Sequence, residues 1–186
     1  AGPPTGGGHR HGQRCEGAVM TRLVLGIDVG PTATKAALFD LEHAARPLAV
    51  ARRASQVHVP RSGYSEVDPR GVLELIGACV REVVSDVAPA DISAIGVSGT
   101  ACGAWLVADG KSVRPAILWN DARAAGIVDR WRAEGRIADI FEISGNVPFP
   151  GYTLPVLNWL AQHEPESLAA ATHCLCCKDW VRGWLT

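Results

Sequence analysis

With 186 residues, 47% hydrophobic content and a formal charge of -1, the chain can bury one good core, or one and a half. This balance gives no electrostatic reason to expect nucleic acid or an anionic membrane as a partner. No apolar run approaches a membrane span, and stretches such as Leu23–Ile27 are strand-sized.

The first nineteen residues are rich in Gly, His and Arg, follow neither the helical nor the strand period, and lack the apolar core of a signal peptide. Residues 1–19 are therefore expected to be a disordered or upstream extension, with Met20 as the start. A strand is expected over Arg22–Asp28, a turn over Val29–Thr32, a second strand over Thr34–Asp40 and a third over Leu48–Val57, forming an antiparallel meander. Asp68-Pro69 is a helix start, with Asp as N-cap and Pro in the first turn. Leu73, Ile76, Val80, Val83, Val84 and Val87 then recur at helical spacing, and the helix ends before Pro89.

Ile92–Ser98 is a further strand, apolar enough to be expected buried on both faces. Ala104–Ala108 turns at Asp109-Gly110 and returns through Val113–Leu118. Asp121 is placed to cap a helix whose apolar positions are Ala124, Ile127, Val128 and Trp131. After a Gly- and Pro-rich loop over Gly145–Gly151, Thr153 and Pro155 open a helix with Leu154, Leu157 and Leu160 on one side. A last helix begins near Lys178 and runs to Thr186, so the chain is expected to be cut within a domain. Three antiparallel strands, a helix and a strand returning to the same sheet give an α/β fold of the ribonuclease-H-like or actin-like kind, truncated.

Six cysteines without a secretory signal point to a reducing, cytoplasmic setting rather than a disulfide framework. Cys174, Cys176 and Cys177 beside His173 invite a zinc reading, but no second ligand pair exists, and alternation in an apolar strand favours buried thiols. Trp105, Trp131, Trp159, Trp180 and Trp184 sit in apolar patterns and are expected in the core; His58 and His163 are expected at the surface and His43 in a turn.

The sharpest local chemistry is Gly26-Ile-Asp28-Val-Gly30-Pro-Thr32-Ala-Thr34-Lys35. A carboxylate at a strand end, followed by a glycine that admits close backbone approach, suits phosphate and magnesium. Asp28 is the candidate magnesium partner, through the ion's water shell, with Gly30, Thr32 and Lys35 toward phosphate. No P-loop and no GxGxxG occurs. An ordinary hairpin turn is the alternative.

This stretch resembles the first phosphate motif of the actin-like ATPases, with Pro31 where Thr or Gly is usual. Further segments resemble the FGGY carbohydrate kinases: Gly63-Tyr-Ser-Glu66-Val-Asp68-Pro69, Gly96-Val-Ser-Gly99-Thr-Ala-Cys102-Gly103, Pro115-Ala-Ile-Leu-Trp119-Asn-Asp121-Ala-Arg123, and Gly145-Asn146 through Pro155 with Trp159. Lys178-Asp179-Trp180 through Thr186 continues the likeness, which covers residues 22–186 and is closest to the xylulokinase-like members.

The resemblance implies an ATP- and Mg-dependent kinase acting on a hydroxyl of a ketopentose or related polyol, with Thr100, Cys102, Trp119, Asp121 and Arg123 toward the sugar. It places the catalytic base and the adenosine pocket beyond residue 186, so this stretch alone is expected to be inactive. Sugar sites combine hydrogen-bonding groups with an aromatic surface, and Trp119, Asp121 and Arg123 supply both within one short segment. Asp121 and Arg123 can alternatively pair with each other and hold the loop, and Trp119 can alternatively belong to the core. Ala101-Cys102 stands where xylulokinases carry Met-His and glycerol kinases Arg-Glu, so neither substrate carries over. The expected partner is a small sugar or polyol, with a homodimer left open. Two alternatives stand: a sugar-sensing relative without catalysis, and a hexokinase-like kinase of the same superfold.

Overall fold

The structure, a computed structural model, describes residues 2, 22–43 and 46–186. Apart from Gly2, the extension expected over residues 1–19 lies outside them, as do Met20 and Cys15.

Strands β1 (Leu23–Val29), β2 (Ala33–Asp40) and β3 (Ala49–Ala54) form the expected meander, and β6 (Ile92–Gly99) joins β1 in parallel, giving the order β3-β2-β1-β6. The period-2 alternation of β1 sends Leu23, Leu25, Ile27 and Val29 to one face, and α1 (Pro69–Val83) covers that face with Val72, Ile76, Cys79 and Val83. Asp68 caps α1 as the sequence indicates, its carboxylate accepting from the Arg70 and Gly71 amides. Leu73, Val80, Val84 and Val87 lie half-buried at the edge of the same core.

Strand β6 corrects an expectation. It is not buried on both faces: Ile95 is 47% exposed. The physical reason is position, since β1 is its only strand neighbour among the described residues. The sheet face opposite α1 is also open. There Gly26, Ala37, Phe39, Val50 and Gly96 line an apolar groove of about 510 Å³, with Asp28, Lys35 and Ser98 at one end.

Two small sheets complete the layer. The expected third strand divides: β4 (Val57–His58) leaves the main sheet to pair with β5 (Glu66–Val67), which pairs with β9 (Ala116–Ile117). Strand β7 (Trp105–Ala108) pairs with β8 (Lys111–Ser112) through the Asp109-Gly110 turn and with β10 (His173–Leu175). The remaining helices are α2 (Ala125–Ala133), α3 (Arg136–Ser144), α4 (Thr153–His163), α5 (Pro165–Ala170) and α6 (Cys177–Leu185).

Other expectations are corrected in detail. Asp121 does not cap α2; the N-cap is Ala124, with no side-chain bond. On α4 the buried residues are Pro155, Val156 and Leu160, while Leu154 is exposed. Trp105, Trp131 and Trp180 are buried and Trp159 packs half-buried between two clusters, but Trp184 is exposed. Cys177 is buried, yet Cys174 is exposed and Cys176 half-buried, because β10 is too short to carry a buried alternation through them. No group of His, Cys, Asp or Glu among the described residues is arranged to hold a metal ion, and no described helix is long and apolar enough to cross a membrane. His58 and His163 are exposed.

Candidate functional site

The site begins where β1 and β6 end side by side. Between Val29 and Ala33 the chain reverses tightly: the Gly30 amide donates to the Ala33 carbonyl at 3.0 Å. Ser55 closes the turn from the side, its hydroxyl donating to the Gly30 carbonyl at 2.8 Å and its amide to the Thr32 carbonyl at 3.1 Å. The Gly30 amide is therefore committed, and Pro31 has none to offer. The exposed Thr32 and Lys35 are left as the turn's candidate donors toward a phosphate.

Asp28 lies on the open sheet face, directly opposite Lys35 on β2 and Ser98 on β6. The Lys35 ammonium stands 3.5 Å from its Oδ2, and both side chains are about half exposed. A half-exposed carboxylate with an unhindered side toward solvent fits an outer-sphere magnesium, an ion that keeps most of its own water.

The second loop leaves β6 beside this turn. The Thr100 amide donates to the Val29 carbonyl at 3.0 Å, tying one loop to the base of the other. Cys102 and Gly103 then both adopt left-handed φ, 60° and 73°. Only glycine is tolerated at position 103, where a β-carbon would overlap the Ile117 carbonyl. The Gly103 amide donates to the Gly151 carbonyl at 3.0 Å, and Thr153 Oγ1 donates to the Gly103 carbonyl at 2.8 Å. Gly151 in turn lies against the Trp119 backbone so closely that no β-carbon fits between them. Trp119 is thereby fastened to the Thr100–Gly103 loop while the residue stays 46% exposed, which removes the core alternative for it.

Asp121 and Arg123 behave differently. Asp121 is completely enclosed: its carboxylate accepts from the Ser65 amide at 2.7 Å, the Arg123 amide at 2.8 Å, Arg123 Nε at 2.9 Å and Arg123 Nη2 at 2.8 Å. Arg123 Nη2 also donates to Glu66 Oε1 at 2.7 Å. Arg114 donates to the same oxygen at 2.6 Å and, through Nε, pairs with Glu164 at 2.9 Å. The Tyr64 ring covers the Arg123 guanidinium at 4.2 Å and Trp159 stands 5.1 Å away. Burial works against the Arg123 charge, but the bonds and charges of Asp121 and Glu66 outweigh it and raise its pKa. This buried cluster joins β5, the loops flanking β9 and the α4–α5 junction.

Of the residues expected at a sugar site, the structure brings Thr100, Cys102 and Trp119 onto neighbouring, mutually bonded loops and puts Asp121 and Arg123 into the buried cluster beneath. Sequence reasoning missed Glu66, Arg114, Glu164 and Gly151. Glu66 stood in a segment that resembles the family but had no role assigned to it, Arg114 and Glu164 carry no local signal, and all three find their partners tens of residues away. For Gly151, its place in a Pro-Gly turn was the available hint.

Comparison with known proteins bears on this arrangement. The profile of the N-terminal domain of the FGGY family of carbohydrate kinases matches residues 23–186. The xylulose kinase of Escherichia coli (strain K12) is 32% identical over 165 residues, covering 88% of this chain and 33% of that protein. The glycerol kinase of Rhodospirillum rubrum is 32% identical over 147 residues, covering 77% of this chain and 29% of that protein. Among solved structures, a xylulose kinase from Brucella ovis superposes with a TM-score of 0.78 at 32% identity, over 88% of this chain and 34% of that one. The chain thus spans about a third of the length of the relatives it matches. With residues 23–186 matched by that profile and with relatives 32% identical over most of its length, the chain belongs to the FGGY family of carbohydrate kinases.

Proposed function

We propose that these residues form the sugar-side half of a kinase site that moves the γ-phosphoryl group of ATP to a hydroxyl of a ketopentose or related polyol. The observation that carries this reading is the Thr100 amide bond to the Val29 carbonyl. It sets a loop bearing Cys102 and coupled to an exposed Trp119 directly beside the β1–β2 hairpin, which carries Thr32 in its turn and Asp28 and Lys35 on its strands. A phosphoryl acceptor and a phosphoryl donor must meet at such a junction, because this reaction is achieved by positioning and electrostatics.

In this reading Trp119 offers its ring to the apolar C–H face of the sugar, and Thr100 and Cys102 face the hydroxyls. Thr32 and Lys35 donate toward phosphate oxygens, and Asp28 is the residue that would hold magnesium, an ion that keeps much of its own water. Magnesium bound there would offset the charge on the transferred phosphoryl group. Asp121 and Arg123 shape the Trp119 loop from below and do not touch substrate. The proton acceptor and the adenosine pocket come from chain outside these residues, so residues 22–186 alone do not turn over.

A coupled ADP-release assay on the full reading frame, with ATP, magnesium and a panel of ketoses and polyols, tests the reading. Sugar-dependent turnover supports it, and silence from a folded protein across the panel refutes it. The committed Gly30 amide, Pro31 and the Ala101-Cys102 pair favour one second reading, a sugar-binding relative without transfer. It predicts saturable quenching of tryptophan fluorescence by a sugar and no ADP release.

A further inference from the structure

Over the buried arginine–carboxylate cluster lies a polar cavity of about 470 Å³, a volume typical of small-ligand pockets. Its walls come from the segment before β5, from Arg114 and from the α4–α5 junction. None of Thr100, Cys102 and Trp119 lines it, so it is a different place from the loops described above.

The cluster leaves part of its own bonding capacity unused. Glu66, its side chain 8% exposed, accepts from both Arg114 and Arg123 on Oε1, while Oε2 accepts no hydrogen bond among the described residues. Arg123, its side chain 1% exposed, spends Nε and Nη2 on Asp121 and Glu66. Its Nη1 makes no hydrogen bond among the described residues, and Glu164 Oε1 stands 4.0 Å from it, too far for one. Both residues line the cavity and are more than nine-tenths buried, a situation in which an unmet donor or acceptor is costly. Arg61 is exposed at the rim and pairs with no carboxylate among the described residues; its guanidinium lies 6.0 Å from the Tyr64 ring.

We propose that this cavity is a second carbohydrate site, one without catalysis, that takes a neutral sugar or polyol. The charge balance selects the class. Arg61, Arg114 and Arg123 stand against Asp121, Glu66 and Glu164, so the lining and the carboxylate beneath it sum to zero. An anion reaching the arginines would meet Glu66 and Glu164, and a cation reaching those glutamates would meet the arginines. A hydroxyl both donates and accepts. A polyol can therefore donate to Glu66 Oε2 and accept from Arg123 Nη1 and Arg61 at once.

Ring surfaces complete the set. His163 stacks on Trp159, centroids 4.4 Å apart and planes 5° from parallel, with Nδ1 2.9 Å from the Trp159 carbonyl oxygen. His163 is exposed, so the imidazole face turned away from Trp159 is open to the apolar C–H face of a sugar. Tyr64 stands edge-on to Trp159 at 6.0 Å and 88° and closes the corner. The Arg123 guanidinium packs against both rings, at 4.2 Å from Tyr64 and 5.1 Å from Trp159, which ties the aromatic corner to the polar groups.

This second site does not depend on the kinase reading, and its test needs no turnover. The full reading frame is labelled with 5-fluorotryptophan, and the fluorine resonances of Trp159 and Trp119 are assigned with Trp159→Phe and Trp119→Ala. The protein is then titrated with ribitol, xylitol and D-ribulose, and separately with inorganic phosphate. The expected result is a saturable shift of the Trp159 resonance with at least one of the three, kept in Trp119→Ala, and no shift with phosphate. The double variant Arg61→Gln, Tyr64→Phe changes an exposed cation and removes one hydroxyl while leaving the ring and the buried cluster in place. It should weaken that binding roughly tenfold or more, as for the loss of a hydrogen bond to a charged group. Four outcomes overturn the proposal: no shift with any of the three, a shift that vanishes in Trp119→Ala and so reports a single site, a folded double variant that binds as well as the unsubstituted protein, or a shift with phosphate alone, which would make the cavity an anion site.

Discussion

Gly151 and Trp119 share a contact between backbones alone: the glycine α-carbon lies where any β-carbon would overlap the Trp119 carbonyl. Together with the Gly103–Gly151 bond, it makes the position of an exposed tryptophan depend on a residue far along the chain. Gly151→Ala must push the two loops apart. The expected cost is about 1–3 kcal/mol of stability, as for other overpacked sites. Urea denaturation measures it, and an unchanged midpoint contradicts the contact. Gly110→Ala, with open space around its site but a φ of 70°, controls for backbone strain alone.

Arg123→Met removes a guanidinium that three carboxylate contacts enclose, and leaves Asp121 and Glu66 buried without that partner. Breaking one side of a buried pair costs about 3–5 kcal/mol. The paired change of Arg123 with both Asp121 and Glu66 to apolar residues should recover much of it. A small loss in the single variant would show that the cluster is solvated.

Thr34 precedes Lys35 in the phosphate-like motif, yet its side chain points into the core with its hydroxyl unpaired. Thr34→Val keeps the shape and removes an unsatisfied group, so the protein should gain about 1 kcal/mol. A thermal melt shifted downward would mean that the hydroxyl has a partner.

Cys177 gives a pH signature. Its thiol is raised to about 11 by burial, so the native chain holds the proton more tightly than the unfolded chain does. Stability from this group is full below the ordinary thiol pKa and declines as pH rises toward about 11. Comparing urea midpoints at about pH 8 and about pH 10.5, the loss should be smaller in Cys177→Ala than in the unsubstituted protein. An equal loss in both would place the titration elsewhere.

The meander, the Asp68 cap of α1 and the apolar face of α2 were legible because each rests on local periodicity or capping chemistry. The exposure of β6 was not. An apolar run such as Ile92–Ser98 reports what a strand can bury, and its free edge is a property of the neighbours it has. The site divided in the same way. Asp28 and Trp119 were legible as exposed chemistry beside turns. The burial of Asp121 and Arg123 was hidden in pairings with Ser65, Glu66 and, through Arg114, Glu164, at separations no local pattern carries. The α3 and α5 helices escaped because neither buries a residue fully and their apolar patterns are short.

Trp119→Ala in the full reading frame, followed by coupled ADP release over a range of ketose and polyol concentrations, tests the sugar-side reading most directly. Trp119 is about half exposed and its backbone is held by Gly151, so the variant should keep its melting temperature. The expected result is sugar-dependent turnover in the unsubstituted enzyme and a KM for sugar raised roughly tenfold or more in the variant, for a lost contact of about 1.4 kcal/mol, with the KM for ATP unchanged. An unaltered sugar KM in a stably folded Trp119→Ala enzyme would contradict it.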